Sequence, residues 1–451
     1  MTDTRTSPRR IYGDFAYTRG PIEHCYWAEA VPEAALAHAP VQGRAACRVA
    51  VVGGGYTGLN AALALAEAGQ DVMLLDAEFP GFGASGRNGG FCCLGSHRAS
   101  DARLRRFGPD GPSEVRQAEA AAIAHVEALI GRFGIDVDRH SEGEVVLAHS
   151  PRAMEALRRH ADEFTRDFGA EARIIERADL AAEGLYSPGW YGGLHTPLGF
   201  ALHPRKYLAG LVAAAHGAGA RIHGASPVLS LSQEGGKQVL VTPSARIEAD
   251  RVIVATNGYT AETLLPWLRG RFLPAQSSVL TTRRMTEDEL KAQNYTSRQM
   301  AYEDRKLLHY FHLTPDGRMV FGQRGALLSS AANEAKVAAT VRADFEAAFP
   351  AWRHVESPHH WSGMVCLTAS LTPFCGPVPG MEGVFAGFGY HGNGVAMGSY
   401  TGAILADLAL GRAPQALLPK AFAAPPPRFP FAPLRRGYLM AEYAGAKILN
   451  N

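Results

Sequence analysis

One stretch constrains the fold more than any other: VAVVGGGYTGLNAALALAEAGQDVMLLD, Val49 to Asp76. The apolar run Cys47 to Val52 reads as a buried strand. The segment Tyr56 to Ala68 places Leu59, Ala62, Leu63 and Ala66 at i, i+3, i+4, i+7 spacing, which predicts a helix. Gly69 stops it, and Val72 to Asp76 predicts a second strand. Between strand and helix lies Gly53-x-Gly55-x-x-Gly58. In that context each glycine has a separate task. Gly53 permits the tight turn, Gly55 lets backbone approach a pyrophosphate, and Gly58 lets helix and strand pack closely. Tyr56 and Thr57 open the helix, where free N–H groups and a partial positive charge suit phosphates. Asp76 ends the second strand about 20 residues on, where a carboxylate accepts from a ribose 2′-hydroxyl and repels a 2′-phosphate. The competing reading is a glycine turn in another α/β fold. The turn alone leaves the dinucleotide open.

Two further glycine clusters narrow it. GFGASGRNGG, Gly81 to Gly90, is a second loop poor in side chains, with no obvious use in a plain NAD site. A longer cofactor, reaching from pyrophosphate through a ribityl chain to a ring system, needs one. Gly83, Ala84, Ser85, Asn88, Gly89 and Gly90 can offer backbone and side-chain partners, and Arg87 adds positive charge. The third cluster is GFGYHGNGVAMG, with Gly389, His391, Gly392, Asn393, Gly394 and Val395 at the start of a predicted helix, Gly394 to Leu410. Its N-terminus could face the flavin N1–C2=O edge. Gly398, Gly402 and Ala406 share a face that permits close packing. Singly, each cluster is also what a flexible loop looks like; together they point to FAD.

The bulk numbers exclude several classes. The chain has 451 residues, 47% hydrophobic and 20% charged, with a formal net charge of +2. That is an ordinary globular balance with no basic footprint for nucleic acid. Six cysteines occur, none in a C-x-x-C pair, so neither a zinc site nor a disulfide framework is expected. No apolar run is long enough to span a membrane. Met1 to Phe15 lacks the apolar segment of a signal peptide, and a cytoplasmic location is expected.

Strands alternating with helices, then a strand-rich middle, predict an α/β FAD-binding domain, Rossmann-like and of the glutathione-reductase type, interleaved with an α+β substrate domain containing an antiparallel sheet. Residues 1–46 form an N-terminal arm with a short helix expected near Trp27 to Ala37. Residues 47–140, 200–260 and 355–412 make the discontinuous FAD domain. Residues 141–199 and 261–354 make the substrate domain, with LLHYFHLTPDGRMVFGQRG, Leu307 to Gly325, as a hairpin. Residues 413–451 are a Pro-rich tail, with a possible helix from Tyr438 to Leu449.

From Val49 to Leu410 the chain resembles the FAD-dependent D-amino-acid oxidase and glycine oxidase (DAO) superfamily, nearest its γ-glutamylputrescine oxidase-like branch. The likeness is carried by VVGGGYTGLNAAL, GASGRNGG, HPRKYLAGL, VIVATNGYT, DGRMVFGQRG and GFGYHGNGVAMG. It implies oxidation of a C–N bond in an amine or amino acid by hydride transfer to flavin N5. The resulting imine is hydrolysed, and O2 is often reduced to peroxide. It also implies that Val228 meets the adenine through its backbone; Ala255, Thr256 and Gly363 are counted with the cofactor contacts. Two departures matter. The strand Arg318 to Gly322 lacks the lysine that promotes reaction with oxygen in sarcosine-oxidising relatives, which leaves a dehydrogenase passing electrons to a quinone or carrier as the alternative to O2 as acceptor. Cys366 lies near the place where some relatives bind FAD covalently, but its neighbourhood differs, so non-covalent FAD is expected.

The catalytic candidates are His391, Tyr310, Arg324 and Trp361. His391, in the third glycine cluster, could accept the amine proton or brace its loop. Arg324 could clamp a substrate carboxylate or sit in a surface ion pair. Tyr310 and His312 share a strand face that meets either the flavin cavity or the core. Trp361 could pack near the isoalloxazine or be plain core. The expected partners are a small amine or amino acid and O2 or another acceptor. A flavin-dependent nucleic-acid-modifying protein and a non-catalytic FAD-binding protein are the other classes. The charge and the missing extra domain count against the first.

Overall fold

The computed structural model describes residues 10–95, 99–326 and 328–449. Met1 to Arg9, the start of the expected arm, and Asn450 and Asn451, the end of the tail, lie outside them. The first sheet grows around Gly43–Val52, whose inner half is fully buried. It pairs in parallel with Ala245–Val254 on one side and Val72–Leu75 on the other. Arg221–His223 extends the parallel set past Val72–Leu75, and Val384–Phe388 extends it past Ala245–Val254. Phe374–Pro377 adds an antiparallel edge, and Lys237–Val241 and Ser230–Glu234 form an antiparallel flap on Ala245–Val254. Continuous apolar runs are what strands covered on both faces require.

The covering helix Tyr56–Glu67 is buried almost all round. It packs against Ala396–Ala409, and the expected small-residue face is the contact. A Cβ on Gly402 would press on Asn60 Cβ at 2.7 Å and Ala61 N at 3.0 Å. One on Gly398 would meet Thr57 Oγ1 at 3.3 Å.

The second sheet is mostly antiparallel, in the order His359–Thr368, Phe272–Thr281, Met319–Ala326, His309–Leu313, Met300–Glu303, Glu144–Leu147, Gly192–Thr196, Arg173–Glu176. Side chains alternate across it. One face carries Val145, Leu147, Leu280, Phe311 and Phe321 into a core closed by Val341 and Phe345 of helix Ala331–Ala348. The other face looks toward the first sheet.

Two expectations need correcting. The strand His359–Thr368 belongs to the second sheet over its full length, paired with Phe272–Thr281. The segment 355–412 therefore divides between the two sheets. No helix spans Trp27 to Ala37; two short 3-10 turns, Tyr26–Ala28 and Glu33–Ala35, stand there. Pro32 denies the helix an N–H donor at its middle, and buried Trp27 gives its indole N–H to Asn88 O at 2.8 Å. The tail ends in the helix Arg436–Leu449. It is anchored by the buried pair Arg435–Glu262 at 2.5 Å.

Within the second sheet, His309 lies between Glu303, at 2.6 Å, and Asp344, at 3.5 Å. Burial opposes its charge, but the hydrogen-bonded carboxylates win and lift it from 6.5 to about 9. A raised folded-state value stabilises the fold fully below about 6.5 and loses that contribution as pH climbs through about 9. We expect unfolding free energy from urea titrations to decline between those two pH values. His309→Gln should flatten that slope, and an unchanged slope would remove the charge from His309.

Candidate cofactor and substrate site

The strand Gly43–Val52 delivers the chain into a turn that only glycine can make. Gly53 has φ +105°, and a Cβ there would strike Ala255 O at 2.9 Å. Gly54 N–H donates to Asp76 Oδ2 at 2.7 Å, and Glu78 N–H donates to Asp76 Oδ1 at 2.9 Å. Burial lifts the Asp76 carboxyl to about 6, against the pull of those two amides. A Cβ on Gly58 would overlap Gly53 O, so helix and strand meet there without a side chain between them.

The second cluster folds onto the first. Tyr56 N–H at the helix start donates to Ser85 Oγ at 3.0 Å, and a Cβ on Gly55 would come within 2.8 Å of that hydroxyl. Asn88 knits the loop, giving Nδ2–H to Ser85 O at 2.8 Å and accepting Gly90 N–H at 2.8 Å. The third cluster closes from the far side. Tyr390 and Thr57 share a hydroxyl–hydroxyl bond of 2.8 Å, and Gly389 N–H donates to Asn257 Oδ1 at 3.0 Å. Gly392 has φ +111° and His391 φ 55°. The His391 Nε2 pairs with Thr368 Oγ1 at 3.1 Å, and its carbonyl accepts from Arg324 Nη2 at 2.8 Å.

These corners border one cavity of about 1550 Å³. It runs from Asp76, Val228 and Val241 past Gly53, Gly55, Tyr56 and Thr57 to Gly83, Ala84, Ser85, Arg87, Asn88 and Gly89. Ala255, Thr256, Gly363, His391, Gly392, Asn393, Gly394 and Val395 line it as well. It then opens under the second sheet at Tyr310 and Arg324, and continues to Tyr302, Val146 and Glu144. The Asn393 side chain is buried, and neither its oxygen nor its nitrogen has a protein partner. A long, bent cavity walled by bare backbone, with an orphaned amide at its centre, fits a dinucleotide extended into a ring system.

Four expected site residues sit off the lining. Gly58, Gly90 and Gly389 act one layer back. At Gly90, φ is +82° and the backbone crosses Leu202 O too closely for a side chain. Trp361 is the fourth. It faces the cavity side of the sheet, but the glycine loop covers it there. Its indole N–H donates to Arg87 O at 2.8 Å and its ring meets Trp27 at 6.1 Å. Arg87 is buried and spends its donors on Phe82 O and Ser362 O, so its main contacts brace the loop. Burial lowers its pKa.

Tyr310 is clamped. Its hydroxyl pairs with Ser277 Oγ at 3.0 Å, and a Cβ on Gly89 would press its ring at 2.6 Å. His312, two residues along, is sealed behind Gly89, whose carbonyl lies 2.8 Å from Nε2. Burial pushes His312 down to about 3. Cys366 lines the cavity as a buried thiol whose pKa burial pushes well up. Glu144, Val146, Tyr302 and Ser277 were missed by sequence reasoning. GEVV and AYED offer only the two-residue alternation of a strand, which says nothing about which face is wet.

Fold and cavity together define a two-domain protein that binds a dinucleotide between a parallel sheet and an antiparallel one. Residues 48–408 match the family model DAO, FAD dependent oxidoreductase. The chain is 31% identical over 397 residues to "Probable oxidoreductase OrdL" of Rhizobium meliloti, covering 87% of this chain and 90% of that protein. It is 31% identical over 370 residues to "Gamma-glutamylputrescine oxidoreductase" of Escherichia coli, covering 81% and 84%. In fold it is similar to the glycine oxidase of Geobacillus kaustophilus, at a TM-score of 0.67, 22% identity, and 83% and 99% coverage. The chain belongs to the DAO family of FAD-dependent oxidoreductases, which act on amine and amino-acid donors, and its cofactor is FAD.

Among the described residues no helix is long and apolar enough to cross a membrane, and no group of three or more His, Cys, Asp or Glu could hold a metal. Gly55→Val should leave purified protein without flavin absorbance, because its side chain displaces Ser85 and fills the cradle. Full flavin content in that variant would contradict the cradle.

Proposed function

We propose that this protein oxidises a C–N bond of an amine or amino acid, a γ-glutamylputrescine-like or other N-substituted amine, releasing an imine that hydrolyses to an aldehyde or keto product. The observation that supports this best is that Tyr310, Arg324 and His391 border the same cavity as the three glycine clusters. FAD, when bound, supplies the acceptor for the hydride leaving the carbon beside the nitrogen.

The chain's own residues do the rest. Backbone amides at Gly55 and Thr57, at the helix N-terminus, would hold the pyrophosphate, with Tyr56 N–H tied to Ser85 Oγ. Asp76 keeps lone pairs for the ribose, and Val228 borders the adenine end. Gly394 and Val395, at the start of helix Ala396–Ala409, would face the flavin's carbonyl edge. The Asn393 amide would gain there the partners it lacks within the protein. Arg324, fixed to His391 O, can present its remaining donors to a substrate carboxylate. The His391 ring, held by Thr368, is positioned to take the amine proton, so that the nitrogen lone pair is free when the C–H bond breaks. Tyr310 forms a rigid wall against which the substrate is oriented. A cytoplasmic setting suits this reading, since all six cysteines are free thiols.

O2 is the acceptor we favour, giving H2O2. A dehydrogenase passing electrons to a quinone or carrier is the second reading, favoured by one observation: Met319–Val320–Phe321–Gly322 brings no lysine to the cavity. An anaerobic amine panel, scored by flavin bleaching and followed by mixing with O2 or an artificial acceptor, tests both. If no amine or amino acid bleaches the flavin, the proposal fails. His391→Ala should slow flavin reduction about 10²-fold while retaining FAD. Loss of FAD with an unchanged reduction rate in the remaining holoenzyme would make His391 a loop brace.

A further inference from the structure

The cavity does not end at Arg324 and Tyr310. It runs on across the second sheet to Glu144, whose carboxylate is among the least exposed polar groups in the protein, at 2%. The Tyr302 hydroxyl hydrogen-bonds to this carboxylate, yet Oε2 has no partner. Thr196 stands directly opposite Glu144 in the antiparallel register, is 3% exposed, and its Oγ1 is also without a partner. Both residues line a chamber of about 190 Å³, and Leu94, Glu144, Val146, His160 and Glu163 border both it and the main cavity. On the chamber's far wall, Arg116 is already neutralised by Asp101 at 2.8 Å and Asp167 at 2.9 Å. Leu104, Val115 and Phe164 supply apolar wall, and the paired side chains His160 and Glu163, 3.4 Å apart, complete the lining.

Two orphaned acceptors, one of them an acid, buried side by side on adjacent strands, are costly unless something pairs with them. We infer that Glu144 and Thr196 form a subsite for a second ammonium group on the substrate, distant from the nitrogen that is oxidised. An alkylammonium brings donors and no acceptor, which matches what is missing. The apolar lining suits the methylenes that lead to it.

The sheet sets the length of such a substrate. Tyr310 pairs with Tyr302, Tyr302 lies opposite Val146, and Glu144 is two residues back on the same face. Two strand steps of about 4.8 Å and two residues of about 3.3 Å separate Glu144 from Tyr310 by roughly 12 Å. That is the reach of an extended α,ω-diamine of about eight carbons. The favoured substrate class is therefore an amine with a cationic tail, such as a diamine or polyamine derivative. This rests on the oxidative role proposed above for the flavin end of the same cavity.

The test uses the FAD-loaded protein under anaerobic conditions, titrated calorimetrically with 1,8-diaminooctane and with octylamine. The expected result is about 10- to 100-fold tighter binding of the diamine. That preference should be lost in Glu144→Gln, with octylamine binding unchanged. Equal affinities in the wild type, no binding of either amine, or a preference that survives in folded Glu144→Gln would each overturn the subsite. If Glu144→Gln does not fold, Thr196→Val decides: the preference should shrink several-fold, and full retention overturns the inference. Because binding is read without turnover, this outcome is separate from that of the amine panel. Amines that bleach the flavin with no diamine preference leave the oxidase reading intact and remove the subsite. A diamine preference without bleaching by any amine does the reverse.

Discussion

The whole site depends on keeping side chains out of one junction. Gly53, Gly55 and Gly58 let the first strand, the first helix and the Gly81–Gly90 loop converge on a volume where a single methyl group would strike Ala255 O, Ser85 Oγ or Gly53 O. Polar contacts then fix the emptied space. Asp76 holds the Gly54 amide, and Ser85 takes the Tyr56 N–H, a bond worth about 1 kcal/mol by itself. Its larger effect is geometric, since it locks the loop to the helix N-terminus, where Gly55, Tyr56 and Thr57 line the cavity. Tyr390 and Thr57 tie the third glycine cluster to the same helix. Local strain at His391, a side chain at positive φ, is held by contacts to Thr368, Cys366 and Arg324, and Gly392 beside it adopts positive φ freely.

Behind the cradle lies a second shell that is mostly aromatic and arginine. Trp27 donates to Asn88 O, Trp361 to Arg87 O, and Arg205 to Gly86 O. Three carbonyls of one side-chain-poor loop are thus pinned from outside by buried donors. Such a loop has much backbone entropy to lose on folding, and these bonds hold it in one shape before any cofactor arrives. The N-terminal arm, which supplies Trp27, is therefore part of the site's support, although it lies far from the chemistry.

How much of this was legible in the sequence follows from what each residue type is required for. A glycine demanded by positive φ or close approach has few substitutes, so all three clusters could be read directly, and so could the strand and helix flanking the first. Asp76 was legible by position, though its double bond to backbone amides was not. Trp361 stayed open between cofactor neighbour and core because a large aromatic reads the same whether it touches a cofactor or the back of a loop. The strand His359–Thr368 was given to the wrong sheet because it precedes the third glycine cluster closely in sequence. Ten consecutive pairings with Phe272–Thr281, a partner some ninety residues away, decide its place instead. Glu144 had no signal at all: a lone acid at the start of a valine strand becomes distinctive only when its neighbours leave one oxygen bare.

The second sheet divides its labour by face, and that division explains how one scaffold accommodates different donors. The face carrying Phe311, Phe321 and Leu147 is committed to the core under helix Ala331–Ala348 and has little freedom to vary. On the opposite face, successive strands present Ser277, Arg324, Tyr310, Tyr302 and Glu144 in order across the cavity roof. Each strand step moves the next side chain about 4.8 Å farther from the flavin end. Exchanging one outward residue changes what is recognised at one distance without disturbing the core below. Arg324 and Glu144 stand three strands apart on this face, so the two positions can meet different parts of one substrate.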